Sequence, residues 1–233
     1  MLEIIVETVS GALAAEAGGA TQLDLKCDLA ENGLTPSAGL IERVCAEVSI
    51  DVLVMIRPHP RALVYSQTDV DIMCADIRLA RTLGAKGFIL GCVTEDRHID
   101  VEALRAFQQA AQECSVNYHL AWEAALDPRQ ALDTMIDLGV ASARSSGGGG
   151  LGTRAEDRVE RIRDFAAQAS GRIEIIPAGG INADNIGRII AGTGLTGAHV
   201  ATSVRVPPTV TGVVDRLKVQ QLREALDRAV ALL

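Results

Sequence analysis

The sequence predicts an α/β protein, a single (β/α)8 or TIM barrel finished by a C-terminal closing helix. Three observations carry that expectation. Eight short apolar runs alternate with stretches of helical period, and strict β–α alternation favours parallel strands joined by crossover helices. The chain is 233 residues long, a length at which such barrels form one domain, taken here as residues 1–233. Its hydrophobic fraction is 48% with only 3% aromatic residues, so Ala, Val, Ile and Leu must fill the interior, as in buried parallel strands.

Each element can be justified in order. "LEIIV" (2–6) precedes an Ala-rich helix, "QLDLK" (22–26) precedes "SAGLIERVCAEV", and "DVLVMI" (51–56) precedes "TDVDIMCADIRLARTLG". "GFILG" (87–91) is followed by "DVEALRAFQQAAQEC", and "VNYHLA" (116–121) by "DPRQALDTMIDLG". "VASARS" (140–145), "RIEIIPA" (172–178) and "GAHVAT" (197–202) complete the eight. Gly84 in "TLGAKG" and Gly139 in "DLGV" stand where helices need a C′ residue. "VDRLKVQQLREALDRAVALL" carries apolar positions at helical spacing and is the closing helix. The "SSGGGGLG" stretch (145–152) has a linker's composition, but its place directly after the sixth run makes it a loop at the barrel mouth.

Bulk properties exclude several roles. A net charge of −8 and a pI near 5.0 leave no basic face to displace counterions, which argues against a nucleic acid or an anionic membrane as partner. No run approaches the ~20 apolar residues of a spanning helix, and "MLEIIVETVS" is acidic where a signal peptide is basic, so the cytoplasm is the expected location. Cys27, Cys45, Cys74, Cys92 and Cys114 are far apart without a CxxC pair and read as reduced, buried thiols. Apolar helix faces leave a homo-oligomer open.

Chemistry is sought at the strand ends and βα loops, which form the active face of this fold. Asp24 and Lys26 share one face of the second strand, with Glu3 on the first. If that face is the interior, the charges must compensate one another. Arg57 closes the third strand in "MIRPHPRALVYS", where flanking prolines stiffen the loop around a guanidinium suited to a carboxylate or phosphate. The fifth strand delivers His119 and Glu123 for acid–base work, with Trp122, the only tryptophan, as packing or a substrate wall. Ser145 ends the sixth strand as a further ligand contact. In "PAGGINADNI", Gly179 and Gly180 follow the seventh strand and Asn182 reads as a helix N-cap, while Thr202 and Ser203 follow the eighth; these two loops often hold a phosphate in barrels.

Taken together, "LEIIVET", "NGLTPSAGL", "MIRPHPRALVYS", "ADIRLARTLGAKGFILGCVTEDRHID", "PAGGINADNIGRII" and "GAHVATS" make the chain resemble the copper homeostasis protein CutC family along nearly its whole length. The resemblance implies a (β/α)8 barrel and, from the family name, Cu(I) binding. It also exposes departures. Ile5 and Lys26 stand where the family shows the cysteines proposed to hold Cu(I), and Cys27 falls on the opposite side of its strand. "YHLAWE" keeps His119 but replaces the family's arginine by Leu120 and its aspartate by Glu123, while Arg144 appears where an aliphatic residue is usual. The guanidinium is therefore expected to reach the same cavity from the neighbouring strand.

The preferred expectation is a metal-independent enzyme without cofactor, a lyase, aldolase-like enzyme or isomerase acting on a small anionic oxygenated acid or sugar phosphate. In it Lys26, His119, Glu123, Glu3 and Asp24 are the catalytic candidates. Arg57, Arg144, Trp122, Ser145, Gly179, Gly180, Thr202 and Ser203 are the binding candidates. The competing expectations are a Cu(I)-binding homeostasis protein and a barrel that has lost catalysis.

Overall fold

Side-chain alternation in the strands decides the architecture. In β1 (Leu2–Val6), Leu2, Ile4 and Val6 belong to one large apolar cluster, and Glu3 and Ile5 between them do not. The same alternation sends Leu23 and Leu25 of β2 (Gln22–Leu25), Val52 and Val54 of β3 (Asp51–Met55), and Phe88 and Leu90 of β4 (Gly87–Leu90) to that cluster. Val116 and Tyr118 of β5 (Ser115–Tyr118), Ala143 of β6 (Ser142–Ser145), Ile175 of β7 (Glu174–Pro177), and Ala198 and Val200 of β8 (Ala198–Val200) continue it. Burying one face of every strand under helices leaves the other faces to meet, and a parallel sheet of eight strands closes on itself to let them do so.

The computed structural model, which describes residues 1–149 and 152–233, bears this out as a TIM barrel. All eight strands pair in parallel in the order β7-β6-β5-β4-β3-β2-β1-β8, and a single bridge between Ala178 and His199 closes the seam. Gly150 and Leu151 of the expected mouth loop lie outside the described residues. Around the sheet run α1 (Val9–Ala17), α2 (Ala38–Glu47), α3 (Gln67–Thr82), α4 (Val101–Ala111), α5 (Pro128–Asp137), α6 (Val159–Ala169) and α7 (Ile186–Thr193). Helix α8 (Arg216–Val230) closes the chain against α7 and α1. Among the described residues no helix is long and apolar enough to cross a membrane.

Several motifs that carry the family resemblance double as helix caps. Ser37 of "GLTPS" accepts from Leu40 N at the start of α2, and Ser66 of "VYS" forms a capping box with Asp69 on α3. Asp100 of "RHID" accepts from Ala103 N to start α4. Each cap satisfies amides the helix itself cannot. Gly84 (φ +105°) and Gly139 (φ +71°) end α3 and α5 in the left-handed region, as the sequence predicts.

One element is absent from the sequence reading. Between β8 and α8 the chain makes an antiparallel hairpin, β9 (Arg205–Val206) and β10 (Val213–Val214), over the mouth. Arg205, buried beneath it, donates to Glu7 Oε2 at 3.0 Å and to the carbonyls of Gly212 (2.9 Å) and Ile5 (3.3 Å). The run "VRVPPTVTGVV" is Val-rich but broken by Pro207, Pro208 and Gly212, and it lacks the length of apolar alternation by which strands are recognised.

The inward face of the barrel has a separate, small apolar cluster of only Leu53, Met55 and Ile89. Gly87 gives β4 its closest approach there: a Cβ would lie 2.1 Å from Ser115 Oγ, 2.7 Å from Leu53 Cδ2 and 2.9 Å from the Ser115 carbonyl. Gly87→Ala is therefore expected to destabilise by ~1–3 kcal/mol, lowering Tm by roughly 2–4 °C per kcal/mol. An unchanged thermal melt would show that the interior has room at this level.

Candidate active site at the barrel mouth

The inward positions left by the alternation are largely polar. Glu3, fully buried, is met across the barrel by Arg144 of β6, which is 1% exposed. Arg144 Nε donates to Glu3 Oε1 at 3.0 Å, its Nη2 bonds Glu3 Oε2, and its Nη1 donates to Ser142 Oγ at 3.0 Å. Ser142 Oγ in turn donates to Asn117 Oδ1 at 2.7 Å, and Gln22 Nε2 donates to Glu3 Oε2 at 2.7 Å. His199 of β8, in register with Glu3 on the neighbouring strand, sets Nδ1 2.5 Å from Glu3 Oε1. Burial alone would raise the Glu3 carboxyl, but Arg144 and then His199 outweigh it and hold it well below the usual carboxylate range. Arg144 thus points into the barrel, as expected, but its fork is engaged by a carboxylate of the protein itself.

Asp24 and Lys26 do share an inward face, and Lys26 Nζ lies 2.7 Å from Asp24 Oδ2 with both side chains buried. Asp24 Oδ1 has no hydrogen-bond partner among the described residues, and His199 Nε2 faces Oδ2 at 3.9 Å. The lysine stem rests on Gly33 (φ +95°), where a Cβ would come within 2.4 Å of Lys26 Cδ; this explains the glycine of "NGLTPS". The same loop receives Arg57. Its Nη1 donates to the carbonyls of Glu31 (2.6 Å) and Gly33 (3.1 Å), its Nη2 to Pro60 (2.9 Å), while its backbone N–H donates to Thr35 Oγ1 (2.8 Å). Arg57 lines the mouth in the stiffened loop that the sequence suggests, and most of its donors clamp loop carbonyls together. Its Nε is buried without a partner, and it has no carboxylate partner among the described residues.

His119 follows β5 and lies over Gly91, where a Cβ would sit 2.4 Å from its Cε1. Its Nδ1 accepts the Ala121 amide at 3.1 Å, so the ring proton belongs on Nε2. Burial, and then the positive charges of Lys26, Arg57 and Arg144, push its pKa down to about 3. At neutral pH it is a neutral N–H donor and a poor base.

Lys26, Arg57, His119, Arg144 and His199 all line one cavity of about 620 Å³ at the C-terminal end of the strands. Gly179, Gly180, Thr202 and Ser203 line it from the β7 and β8 loops. Gly179 (φ +103°) passes so near the next loop that a Cβ would lie 2.4 Å from the Thr153 carbonyl, and Ser203 Oγ donates to Ile181 O at 2.6 Å. Asn182 is not the helix cap itself. It heads the preceding turn, accepting from Asp184 N (2.9 Å) and Asn185 N (3.1 Å), and α7 begins after Asn185.

Four expected residues do not line the cavity: Glu3 lies buried beneath it, paired with Arg144, and the other three lie elsewhere. Glu123, on a short 3₁₀ turn, accepts from Ser145 Oγ (2.7 Å), Ser146 N (2.9 Å) and Gly147 N (3.0 Å), so its carboxylate fastens the loop after β6. Ser145 is the donor in that arrangement and is fully buried. Trp122 is packing: its ring meets Phe165 edge-on at 4.8 Å and its Nε1 donates to the Arg144 carbonyl at 2.8 Å. Conversely, His199 and Arg154 line the cavity and were not singled out. The signal for His199 was present, since it is the polar inward position of "GAHVAT" once β8 is paired beside Glu3. For Arg154, in an irregular loop, no periodicity exists to read.

The donor set does not suit Cu(I). Ile5 and Lys26, which replace the thiols implied by the resemblance, both line the cavity, and no cysteine does so among the described residues. Cys27 turns its Sγ to the Thr35 carbonyl at 3.2 Å, and burial followed by Asp28 and Glu7 pushes its thiol up. Burial pushes Cys92 up to about 12, against the thiolate that copper needs. No group of three or more His, Cys, Asp or Glu among the described residues is placed to hold a metal ion.

The pH dependence of stability follows from His119. Unfolded, it takes up a proton below about 6.5; folded, it takes up none until about 3. Acidification through that window draws protons to the unfolded chain, so the stabilisation is complete above the upper value and lost toward the lower. His119→Asn is expected to make stability fall less steeply by about one proton's worth of slope between these values, measured by urea melts. An identical slope in the variant would show that His119 titrates normally.

Comparison with known proteins agrees with this architecture. A copper homeostasis protein cutC homolog of Homo sapiens is 38% identical over 199 residues, covering 85% of this chain and 72% of the relative. A family protein CutC of Vibrio campbellii is 32% identical over 219 residues, covering 93% and 87%. The crystal structure of a copper homeostasis protein CutC from Streptococcus agalactiae superposes with a TM-score of 0.81 at 29% identity, over 87% of this chain and 98% of the other. The barrel of phosphoribosylanthranilate isomerase from Thermotoga maritima, with a TM-score of 0.63 at 12% identity over 97% and 98% of the two chains, shares the fold alone. The CutC family model matches residues 1–204, and the chain belongs to the CutC family.

Proposed function

We propose that this protein is a metal-independent enzyme of the lyase or isomerase kind, acting in the cytoplasm on a small oxygenated anion, a carboxylic acid or a phosphate ester, at the mouth of its barrel. The observation that carries the reading is that Lys26, Arg57, His119 and Arg144, from four different strand ends, open into one cavity. Glu3 and Asp24 balance Arg144 and Lys26, and among the described residues the Arg57 guanidinium has no carboxylate partner, which leaves the cavity attractive to an anion.

The chemistry these groups support is proton abstraction beside a carbonyl. Glu3, kept ionised, accepts Nδ1–H of His199 and turns Nε2 into the ring atom that exchanges a proton with a ligand. As the C–H bond breaks, its electron pair moves onto the carbonyl oxygen. The Lys26 ammonium, held by Asp24, and His119 Nε2–H are the donors for that oxyanion. Where the α-carbon carries a hydroxyl, transfer of its proton to the oxyanion and return of the abstracted proton to the former carbonyl carbon give an isomerase; where the β-carbon carries a leaving group, collapse of the enolate pair expels it and gives a lyase. Asp24 Oδ2, 2.7 Å from Nζ, engages the lysine as an ion-pair partner, so Lys26 serves here as a hydrogen-bond donor rather than as a Schiff-base nucleophile.

Incubation in D₂O with a panel of small 2-oxo acids and ketose phosphates is expected to label the carbon next to the carbonyl of one class. His199→Gln should slow that exchange by ~10²–10⁴-fold, and borohydride should trap no adduct on Lys26. Exchange that survives His199→Gln removes the base, and a trapped adduct replaces the ammonium role by covalent catalysis.

A further inference from the structure

The cavity is not polar all round. The ionisable side chains that line it come from β2 and its end (Asp24, Lys26), β6 (Arg144) and β8 (His199) and from the segments after β3 (Arg57), β5 (His119) and β6 (Arg154), whereas the inward positions of β3 and β4 supply Met55 and Ile89 and that of β1 supplies Ile5. Above them, Leu29, Leu63 and Leu120 extend the apolar surface along the loops. In a closed barrel of eight strands, β3 and β4 stand opposite β7 and β8, so this apolar wall faces the Gly179–Gly180 and Thr202–Ser203 loops across the mouth.

The wall is held in place. The Leu63 carbonyl accepts from Val93 N at 3.0 Å, tying the loop after β3 to the loop after β4. Leu29 N donates to Glu7 Oε1 at 2.9 Å. Pro208 and Val210 of the β9–β10 connection add an apolar edge to the same cavity. A free sugar phosphate would turn its hydroxyls toward leucine side chains that can pair with none of them, and such unpaired polar groups are costly. At about 620 Å³ the space also falls within the ~300–1,000 Å³ typical of pockets that enclose drug-sized ligands.

We propose that the substrate is an amphiphilic anion, a carboxylate or phosphate head carried on a hydrocarbon or aromatic body, with the body against Met55, Ile89, Leu63 and Leu120 and the head toward the β7 and β8 loops. The inference rests on the anion-binding reading above and narrows it. Asp24 Oδ1, buried between the two ends without a hydrogen-bond partner among the described residues, is an acceptor for a hydroxyl or N–H near the reacting carbon.

Calorimetric titration of the full chain with inorganic phosphate, ribose 5-phosphate and phenyl phosphate tests this. Phenyl phosphate should bind roughly ten- to a hundredfold more tightly than inorganic phosphate, from burial of one ring, and ribose 5-phosphate should show no such gain. Leu63→Asn combined with Leu120→Asn, both half-buried loop positions, should remove most of the phenyl margin without lowering the thermal melt. Ribose 5-phosphate binding as tightly as phenyl phosphate, or a margin that survives both substitutions, overturns the amphiphile while the anion reading stands. No binding of any of the three overturns the anion reading itself, and this inference with it.

Discussion

The ion pair between Glu3 and Arg144 spans the inside of the barrel from β1 to β6 and joins residues 141 positions apart. Moving either charge out of water costs several kcal/mol, and only near-ideal pairing with further hydrogen bonds offsets that cost. Both conditions are met: the guanidinium is bidentate on the carboxylate, and Ser142, Gln22 and His199 satisfy the remaining directions. Other features of the interior follow. Among the described residues its inward apolar cluster is Leu53, Met55 and Ile89, with Ile5 and Ile176 as further buried aliphatics, and the main apolar core lies outside the sheet, under the helices.

The same pair governs the electrostatics of the mouth. Because Glu3 stays ionised, His199 has a fixed partner for one ring nitrogen. Because Arg144 is neutralised by Glu3 and Lys26 by Asp24, both cations can sit together beside the Arg57 guanidinium. His119, ringed by positive charge and partly removed from water, cannot add another and stays neutral. The family's name points to copper, but in this member the positions for soft ligands are taken by an aliphatic side chain and an ammonium. Among the described residues no thiol lines the cavity, and its inward polar positions form a charged network.

The fold was legible because it depends on periodicity, which a sequence displays directly: outward Leu, Ile and Val at every second strand position, helical spacing between, and Ser or Asp caps at the joins. Part of the site was legible for the same reason, since Asp24 and Lys26 two residues apart must share a face. What could not be read is how each polar group spends its hydrogen bonds. Arg57 has the look of an anion arm, but three loop carbonyls claim its fork. Glu123 resembles a catalytic acid, but its oxygens collect the donors of Ser145, Ser146 and Gly147. His199 becomes visible only when the first and last strands pair, a contact between the two ends of the alternation that local pattern does not contain.

The most direct measurement is a double-mutant cycle on Glu3→Gln and Arg144→Met, read by urea unfolding. Each single variant leaves one buried charge unpaired and is expected to cost ~3–5 kcal/mol, while the double variant costs far less than their sum, a coupling of at least ~2 kcal/mol. Costs that add to within about 0.5 kcal/mol would mean that the two side chains do not depend on each other, and the account of the barrel interior would fail.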